Sequence, residues 1–251
     1  MRLLVVSDLH IAGEADPLYF SLLSFLREQP KTGDTVVLAG DTFDLFIGSK
    51  AIYRSRYREF FEELRHAGER GVKLHYIEGN HDFNIRKAFV GIPGMTIHPH
   101  HVIVELHGKK FFVAHGDTVD PSDYGYRVLR LFLRSPIIKF FVALMPGEVI
   151  DWIGRTGSRR SSKTKPRNPT QLPIKRLEHV RKAYRNYAAE RLSQGYDFVV
   201  LGHCHDLDQM QFFIGERRGQ YVNVGYPRIH KSFLSWTAGD DKIHREALPL
   251  C

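Results

Sequence analysis

Residues 1–10, MRLLVVSDLH, join a run of apolar, largely branched side chains to an Asp-x-His triplet. Such a run over LLVVS (3–7) predicts a buried β-strand. Asp8 and His10 would then follow the carboxyl end of that strand, which is where open α/β sheets place their functional side chains. The first ten residues therefore predict an α/β fold whose site lies at one edge of a sheet.

The same arrangement recurs four more times along the chain. Each time, an apolar run is followed by a short segment that contains glycine or alanine together with Asp, Asn or His. These segments are Gly40-Asp41-Thr42-Phe43-Asp44, Gly79-Asn80-His81-Asp82, Ala114-His115-Gly116-Asp117 and Gly202-His203-Cys204-His205. Glycines beside such side chains permit the tight turns that let several loops crowd one point. We expect the carboxylates and imidazoles of the five segments to converge.

Side chains of these types are suited to divalent metal ions. Carboxylates, imidazoles and one amide carbonyl, without a thiolate cluster, accept Mn, Fe, Zn or Mg. Two ions about 3.5–4 Å apart would clamp the attacking and leaving oxygens of a phosphate. A single His or Asp is more often a core, turn or cap residue, but five such segments in order argue for chemistry. Asp44 and Asp117 are weaker candidates, because each could only cap a turn or orient a ligand.

The order D-x-H, GDxxD, GNHD, a later His and GHxH resembles the signature of the calcineurin-like metallophosphoesterases. The resemblance implies a two-sheet α/β sandwich flanked by helices. It also implies two metal sites: one made of Asp8, His10, Asp41 and His205, and a second that shares Asp41 and adds Asn80, His115 and His203.

The same resemblance implies a catalytic role for two further residues. His81 would contact the phosphate and act as general acid or electrostatic stabiliser, oriented by Asp82. The nucleophile would be a water whose pKa is lowered by the two ions.

A chain of 251 residues fits one domain with a large insertion. We predict a core of 1–120 and 194–251 and a helical insertion, 121–193, that covers the active site. Helical spacing of apolar residues is expected at 17–28, 51–70, 126–145 (interrupted by Pro136) and 172–193. Further strands are expected at 35–39, 73–78, 101–106, 110–114, 197–202, 210–215, 220–225 and 232–237, the last four as an antiparallel run.

The insertion is both basic and apolar. Residues 121–193 contain 16 Lys and Arg against 5 Asp and Glu, a net charge of +11, so the rest of the chain carries −3 of the total of +8. One interpretation is a helical pair that packs on the core and exposes a solvated basic face. The other is a surface that accepts acyl chains and lies on an anionic membrane leaflet.

Within the superfamily, the chain resembles the UDP-2,3-diacylglucosamine pyrophosphohydrolases of lipid A biosynthesis. The matching segments are GDTFDLFIG (40–48), GNHDF (79–83) and AHGDT (114–118), followed by the basic insertion. This resemblance implies cleavage of UDP-2,3-diacylglucosamine to UMP and diacylglucosamine 1-phosphate, with manganese, at the inner face of the membrane. It implies substrate contacts from Asn80, His81, Asp123, Tyr126, Arg155, Ser158, Ser162, Lys165 and His203.

The chain departs from that pattern at three positions. The best-known branch has Arg where this chain has His81 and Glu where it has Asp44, and the family has Asn where it has Ser162. These differences leave open a broader phosphodiesterase or phosphatase that acts on soluble nucleotides or phosphoproteins.

Two other functions are alternatives to hydrolysis of a lipid-linked substrate. A nucleic-acid-binding or nuclease module is suggested by the charge of the insertion, but the density of aliphatic and aromatic residues there argues for lipid. A metal-free scaffold is disfavoured by the complete ligand set.

Composition bears on cellular location. Two cysteines and the absence of a signal-like segment or an 18-residue apolar run predict a cytoplasmic protein. The family resemblance implies that it is peripheral on the inner face of the membrane. The sequence gives no indication of oligomeric state.

Overall fold

The computed structural model describes residues 1–48, 50–164 and 171–249. Its strands are β1 (Arg2–Val6), β2 (Thr35–Leu38), β3 (Phe46–Ile47), β4 (Lys73–Ile77), β5 (Asp82–Phe83), β6 (Met95–His98), β7 (His101–Leu106), β8 (Lys109–Ala114), β9 (Phe198–Leu201), β10 (Gln209–Ile214), β11 (Arg217–Asn223), β12 (Ser232–Thr237) and β13 (His244–Ala247). Its helices are α1 (Pro17–Glu28), α2 (Ala51–Arg56), α3 (Arg58–Glu69), α4 (Tyr124–Leu133), α5 (Pro136–Leu144), α6 (Gly147–Thr164), α7 (Ile174–Ser193) and α8 (Pro227–His230), with a 3₁₀ turn at Arg86–Phe89.

Two sheets face each other, so the predicted α/β sandwich is confirmed. The first sheet has the order β13-β12-β1-β2-β4-β6 and the second β10-β11-β9-β8-β7, while β3 and β5 form a separate pair. In the first sheet β1, β2, β4 and β6 are parallel, and in the second β8, β9 and β11 are parallel. Parallel strands bring their carboxyl ends to the same edge, which collects the loops that follow them.

Apolar side chains fill the space between the sheets and both outer faces. The inner layer includes Val5, Phe111 and Trp236. Helices α1 and α3 cover the outer face of the first sheet, and α7 covers that of the second with Tyr184 and Leu192. Because β1 and β2 are buried on both faces, they are continuous apolar runs and not alternating ones.

Two predicted elements differ from the structure. The helix expected over 51–70 is divided at Tyr57, whose φ of −109° and ψ of 37° leave the helical region. The Tyr57 ring is buried and stacks on Phe43 with centroids 4.0 Å apart, so tertiary packing outweighs the helical periodicity. The antiparallel run expected at the end of the chain is correct only for β10 and β11, because β9 and β11 are parallel and β12 crosses to the other sheet beside β1.

The insertion contains two kinds of helix. Pro136 begins α5, with Ser135 as its N-cap, so the predicted interruption is a helix start. Helices α4 to α6 are called the cap. Among the cap side chains that the structure describes, few contribute to the core, and α4 and α5 bury none. In contrast, α7 packs against β9, β10 and β11 as a flanking helix of the sandwich. Within the described ranges, no helix is long and apolar enough to cross a membrane.

Candidate dinuclear metal site

The loops that follow β1, β2, β4, β8 and β9 meet at one edge of the sandwich. Two groups of three side chains there consist of predicted ligands, Asp8, His10 and His205, and Asp41, His115 and His203. A third group, of His10, Asp44 and His81, lies beside them, and within each group the possible ligand atoms lie within 4.8 Å of one another. In the first group, Nε2 of His205 lies 3.2 Å from Nε2 of His10 and 3.3 Å from Oδ1 of Asp8. The sequence-predicted ligands are thus brought together from positions up to two hundred residues apart.

Asp41 lies between the two groups. Its Oδ2 is 3.7 Å from Nε2 of His10 in the first group and 3.4 Å from Nε2 of His115 in the second. The second group continues to Nδ1 of His203 and Oδ1 of Asn80, which lie 3.3 Å and 3.1 Å from Nε2 of His115. One carboxylate is therefore placed to touch two ions at once.

The hydrogen bonds around His115 show that the site fits a cation. Its Nδ1–H donates to the carbonyl of Ala39 at 3.0 Å, which directs Nε2 toward oxygens of Asp41 and Asn80. Acceptors that meet in a buried site require a positive charge between them, which is either a proton on Nε2 or a metal ion. Hard-to-borderline divalent ions suit this donor set of carboxylates, imidazoles and an amide oxygen.

The pKa shifts of His115 and Asp41 also indicate a site that attracts cations. Burial lowers the pKa of His115, but the negative charge of Asp41 outweighs it and raises the value to about 10. Burial raises the pKa of Asp41, but His115 and His81 bring it well below its ordinary value. Without metal, the carboxylates hold a proton on His115, and the same negative potential would attract divalent ions.

The ligand loops have an unusual backbone. Five of the predicted ligands, which are Asp8, His10, Asp41, His203 and His205, have positive φ angles between 48° and 66°. This left-handed region is uncommon for residues other than glycine and costs energy that the surrounding structure must supply. Strained backbone conformations of this kind are common at functional sites. Here they direct side chains from separate strands toward one point.

Glycines make room for the carboxylates. A Cβ on Gly79 would collide with the carboxylate and amide nitrogen of Asp41, and one on Gly202 would collide with Asp8 and Ser7. Because the obstructing atoms are a neighbouring backbone and buried side chains, neither position has space for alanine. The glycines in the GNHD and GHxH segments therefore permit close approach.

The predicted contact between Asp82 and His81 is wrong. The Asp82 carboxylate instead accepts hydrogen bonds from the amides of Asp41, Thr42 and Gly79 at 2.7–2.9 Å and from the hydroxyl of Tyr76 at 2.6 Å. Burial and the charge of Asp41 raise the pKa of Asp82 to about 7. Asp82 therefore fixes the backbone of two ligand loops and does not hold the imidazole.

His81 is held by Asp44. Its Nδ1 lies 2.8 Å from the backbone carbonyl of Asp44 and 3.8 Å from the Asp44 carboxylate. The same carboxylate oxygen lies 3.8 Å from Nδ1 of His10. Asp44, one of the weaker candidates from the sequence, thus sits behind both imidazoles, where a carboxylate orients a histidine.

Several residues that support the site were missed from the sequence. The Tyr226 ring stacks on His205 with centroids 4.4 Å apart, and Arg228 donates to the carbonyl of His10 at 2.9 Å. Beside His205, Asp206 forms a two-pronged ion pair with Arg181 of α7 at 2.5 and 2.9 Å. None of these residues belongs to a local motif, so only their spatial neighbours identify them.

A cavity of about 520 Å³ extends from the site beneath the cap. Asn80 and His81 stand at its metal end, and Arg130 and Arg134 of the insertion also line it. Most of the wall is apolar and is formed by Leu45, Ile47, Phe83, Leu129, Leu133, Ile138, Val142, Met145, Ile150 and Ile153. The site therefore opens into an apolar chamber.

The predicted substrate-contact residues have different outcomes. Tyr126 lies 5.8 Å from the His203 ring and its hydroxyl donates to Asp117, while Asp123 caps α4 through the amide of Tyr126. Arg155, Ser158 and Ser162 lie on α6, but their side chains are outside the described part of the structure, and Lys165 is outside the described residues altogether. Asn80, His81 and His203 lie in the site itself.

The chain is similar in sequence to proteins of a known family. A sequence profile described as calcineurin-like phosphoesterase matches residues 1–207. A protein of Psychromonas ingrahamii named UDP-2,3-diacylglucosamine hydrolase is 26% identical over 253 residues, covering 100% of this chain and 98% of its own. A Pseudomonas aeruginosa protein of the same name is 26% identical over 208 residues, covering 83% and 86% of the two chains. Among solved structures, an archaeal phosphodiesterase aligns with 99% of this chain and 100% of its own, at 13% identity and a TM-score of 0.45.

Proposed function

The chain belongs to the calcineurin-like phosphoesterase family and is a metal-dependent phosphoester hydrolase, and we propose that its substrate is UDP-2,3-diacylglucosamine or a related lipid-linked nucleotide sugar. The products would be UMP and diacylglucosamine 1-phosphate. The full-length relatives that carry this activity in their name support the proposal. The observation that carries it is the apolar cavity, because its aliphatic walls suit acyl chains better than the ribose and phosphates of a soluble nucleotide.

The residues around the cavity suit the two ends of such a substrate. Asn80 and His81 meet the diphosphate where the cavity joins the metal site, and Leu133 and Ile138 meet acyl chains further in. Burial of methylene groups contributes about 0.8 kcal/mol each, so a long acyl chain gives enough binding energy to orient the diphosphate. We thus assign binding of the acyl chains to the apolar part of the cavity and hydrolysis of the diphosphate to the adjoining metal site.

The reaction is hydrolysis of one P–O bond of the diphosphate. Two divalent ions, which we propose to be manganese in the cell, would activate the attacking water and polarise the phosphate when bound. Asp8, His10, Asp41 and His205 would hold one ion, and Asn80, His115 and His203 would complete the other around Asp41.

His81 completes the proposed chemistry. Its Nδ1–H donates to the Asp44 carbonyl, so Nε2 is the nitrogen that faces the phosphate in the cavity. In its protonated form, Nε2 would donate a hydrogen bond to the phosphate or leaving oxygen as charge develops there. Asp44 holds the ring in the required tautomer.

We also assign the cap a role at the inner face of the membrane. Apolar side chains on it are each more than half exposed: Val128, Leu131, Phe132, Ile137, Phe140, Phe141, Leu144 and Trp152. Large exposed apolar patches mark interaction surfaces, and basic residues nearby favour an anionic lipid surface. A lipid substrate would then reach the cavity without leaving the bilayer surface.

The test of the proposed substrate is direct. Protein with two equivalents of bound manganese, verified by elemental analysis, is incubated with UDP-2,3-diacylglucosamine in detergent micelles, and UMP is quantified chromatographically. Release of UMP in amounts equal to the lipid phosphate is expected. Metal-loaded protein that hydrolyses bis(p-nitrophenyl) phosphate but releases no UMP would overturn the substrate and leave the phosphoesterase assignment in place.

A second function is favoured by one residue. His81 stands where the best-known diacylglucosamine enzymes have Arg, and an imidazole can protonate a leaving oxygen where a guanidinium cannot. A broader phosphodiesterase would therefore turn over soluble nucleotides and small esters as efficiently as the lipid. Comparing kcat/KM for the two substrate classes separates these functions.

A further inference from the structure

The first helix of the cap is attached to the core by polar side chains. α4 fully buries none of its residues, and its contacts with the core include several polar ones. Tyr126 and Arg130 both donate to the carboxylate of Asp117, two residues after His115. Arg134, at the end of the helix, reaches the opposite loop, which carries Asn80 and His81.

Arg134 makes three contacts with that side of the site. Its Nη2 donates to the carbonyl of Gly79 at 2.9 Å, and its Nη1 donates to the carbonyl of Pro99 at 2.9 Å. Nη1 also lies 3.2 Å from the carboxylate of Glu78, which is buried. The guanidinium is itself largely buried, and desolvation lowers its pKa.

The segment held by Arg134 leads directly into the catalytic loop. On one side, the amide of Gly79 donates to Asp82 at 2.8 Å, and the amide of His81 donates to Asp41 at 2.9 Å. On the other side, Arg134 holds the Gly79 carbonyl. The peptide before Asn80 is therefore fixed between the metal site and the cap.

We propose that Arg134 is a positioning residue that makes the placement of Asn80 and His81 depend on docking of the cap. When α4 lies against the core, the guanidinium holds the Gly79 carbonyl and the imidazole faces the cavity that the cap closes. Substrate that fills this cavity contacts α4 and so favours the docked position. Binding beneath the cap and alignment of His81 are thereby coupled.

This inference rests on the proposed function only in placing His81 beside the scissile phosphate. The acyl chains are not needed to test it, because a small phosphodiester also depends on His81. A failed test with the small ester would therefore leave the lipid proposal untouched, and an inactive lipid assay would leave this one untouched.

The decisive variant removes the contact without leaving a buried charge. Arg134→Met alone would leave the buried Glu78 carboxylate without its ion-pair partner. An unpaired buried charge destabilises the folded protein, whatever its effect on the position of His81. In the double variant Glu78→Gln/Arg134→Met, the side chain at 134 keeps its length, and the Gln oxygen can still accept from the amide of Ile85. Arg127→Met is the matched control, since Arg127 is an exposed arginine on the same helix.

Steady-state kinetics on bis(p-nitrophenyl) phosphate, metal content and Tm are measured for each protein. In the double variant we expect kcat to fall about 10- to 100-fold, the cost of a misplacement near 1 Å, with metal content and Tm close to wild type. Arg134→Lys, which keeps a donor and the charge, should recover part of the loss, and Arg127→Met should behave as wild type.

Two results would overturn the proposal. Wild-type kcat in Glu78→Gln/Arg134→Met would show that the contact only stabilises the fold. A loss of kcat that follows loss of metal would show that Arg134 acts on the ligand loops as a whole and not on His81.

Discussion

The ligand loops and the cap are stabilised in opposite ways. The ligand residues of the loops are mostly buried, and five of them have left-handed backbone conformations. Several hydrogen bonds fix the loops, among them those from three backbone amides to the Asp82 carboxylate. The cap exposes much of its apolar surface and buries Ile150, and its polar contacts with the core include Arg130 to Asp117, Arg134 to Glu78, and Lys50 of the core to the carbonyl of Met145. A rigid site for the reaction is therefore joined to a loosely attached surface for recognition.

This difference suggests how the two regions tolerate change. Strain in the loops is sustained only because the sandwich determines their geometry at many points. In the cap, side chains need only be apolar and of suitable size, because an acyl chain has no directional groups. Substitutions in the loops should abolish activity on every phosphoester, whereas substitutions in the cap should alter the choice of substrate.

The largest effect is expected for Asp41→Ala. Asp41 lies between the two groups of ligands, so its loss leaves two cations close together without the shared carboxylate. Metal content should fall below one equivalent, and kcat should decrease by more than about 10⁴-fold on lipid and small ester alike, since the ions supply several kcal/mol of transition-state stabilisation.

Elemental analysis and both kinetic assays measure this result. Glu62→Ala, which removes a carboxylate from the exposed side of α3, controls for loss of charge and should retain metal and activity. An Asp41→Ala protein with two tightly bound ions would contradict the bridging role.

A smaller effect is expected for His81→Ala, within the same loops. Its imidazole lies beside the cavity, and its contact to Asp44 is not part of either group around Asp41. Metal content should stay near wild type while kcat falls by about 10² to 10⁴, the range for a positioned proton donor. Equal loss of metal in His81→Ala and Asp41→Ala would show that His81 is a ligand.

The two regions also differ in how well the sequence predicts them. Asp8, Asp41, Asn80, His115 and His203 each follow an apolar strand within a few residues, so local patterns place them at one edge of the sheet. The glycine-containing segments likewise indicate close packing before any contact is known. Local patterns therefore predict an α/β fold and most of the side chains of the site, whereas the two-sheet sandwich and the division of ligands between two ions came from the family resemblance.

Contacts between distant segments could not be predicted in this way. Tyr226 against His205 and Arg134 against Gly79 depend on how two loops or a helix dock, and neither has a sequence signature. The orientation of His81 by Asp82, which the family resemblance implied, was wrong because the backbone turns Asp82 inward to three amides. Local sequence patterns identify the ligand residues, whereas the packing of distant segments determines which residues contact them.

The smallest effects on activity are expected from substitutions of two neighbouring isoleucines in α5. These substitutions should also distinguish the cavity side of the cap from its exposed side. Ile138 lines the cavity, whereas Ile137 is 67% exposed on the outer side of the cap. Ile138→Lys places a charge among apolar walls and should raise KM for the lipid substrate about tenfold, a change of about 1.4 kcal/mol, with kcat on the small ester unchanged.

Ile137→Lys is the matched control for the cavity and the test variant for the membrane surface. In detergent its KM for the lipid should equal that of wild type, because the substitution does not face the cavity. On zwitterionic vesicles its partitioning should decrease about two- to fivefold, since one apolar side chain contributes about 1 kcal/mol of burial, whereas Ile138→Lys should partition normally. If both substitutions changed the KM for the lipid and the vesicle partitioning equally, the cavity side and the exposed side of α5 would not have separate functions. The proposed assignment of substrate binding to one side of the cap and membrane binding to the other would then be wrong.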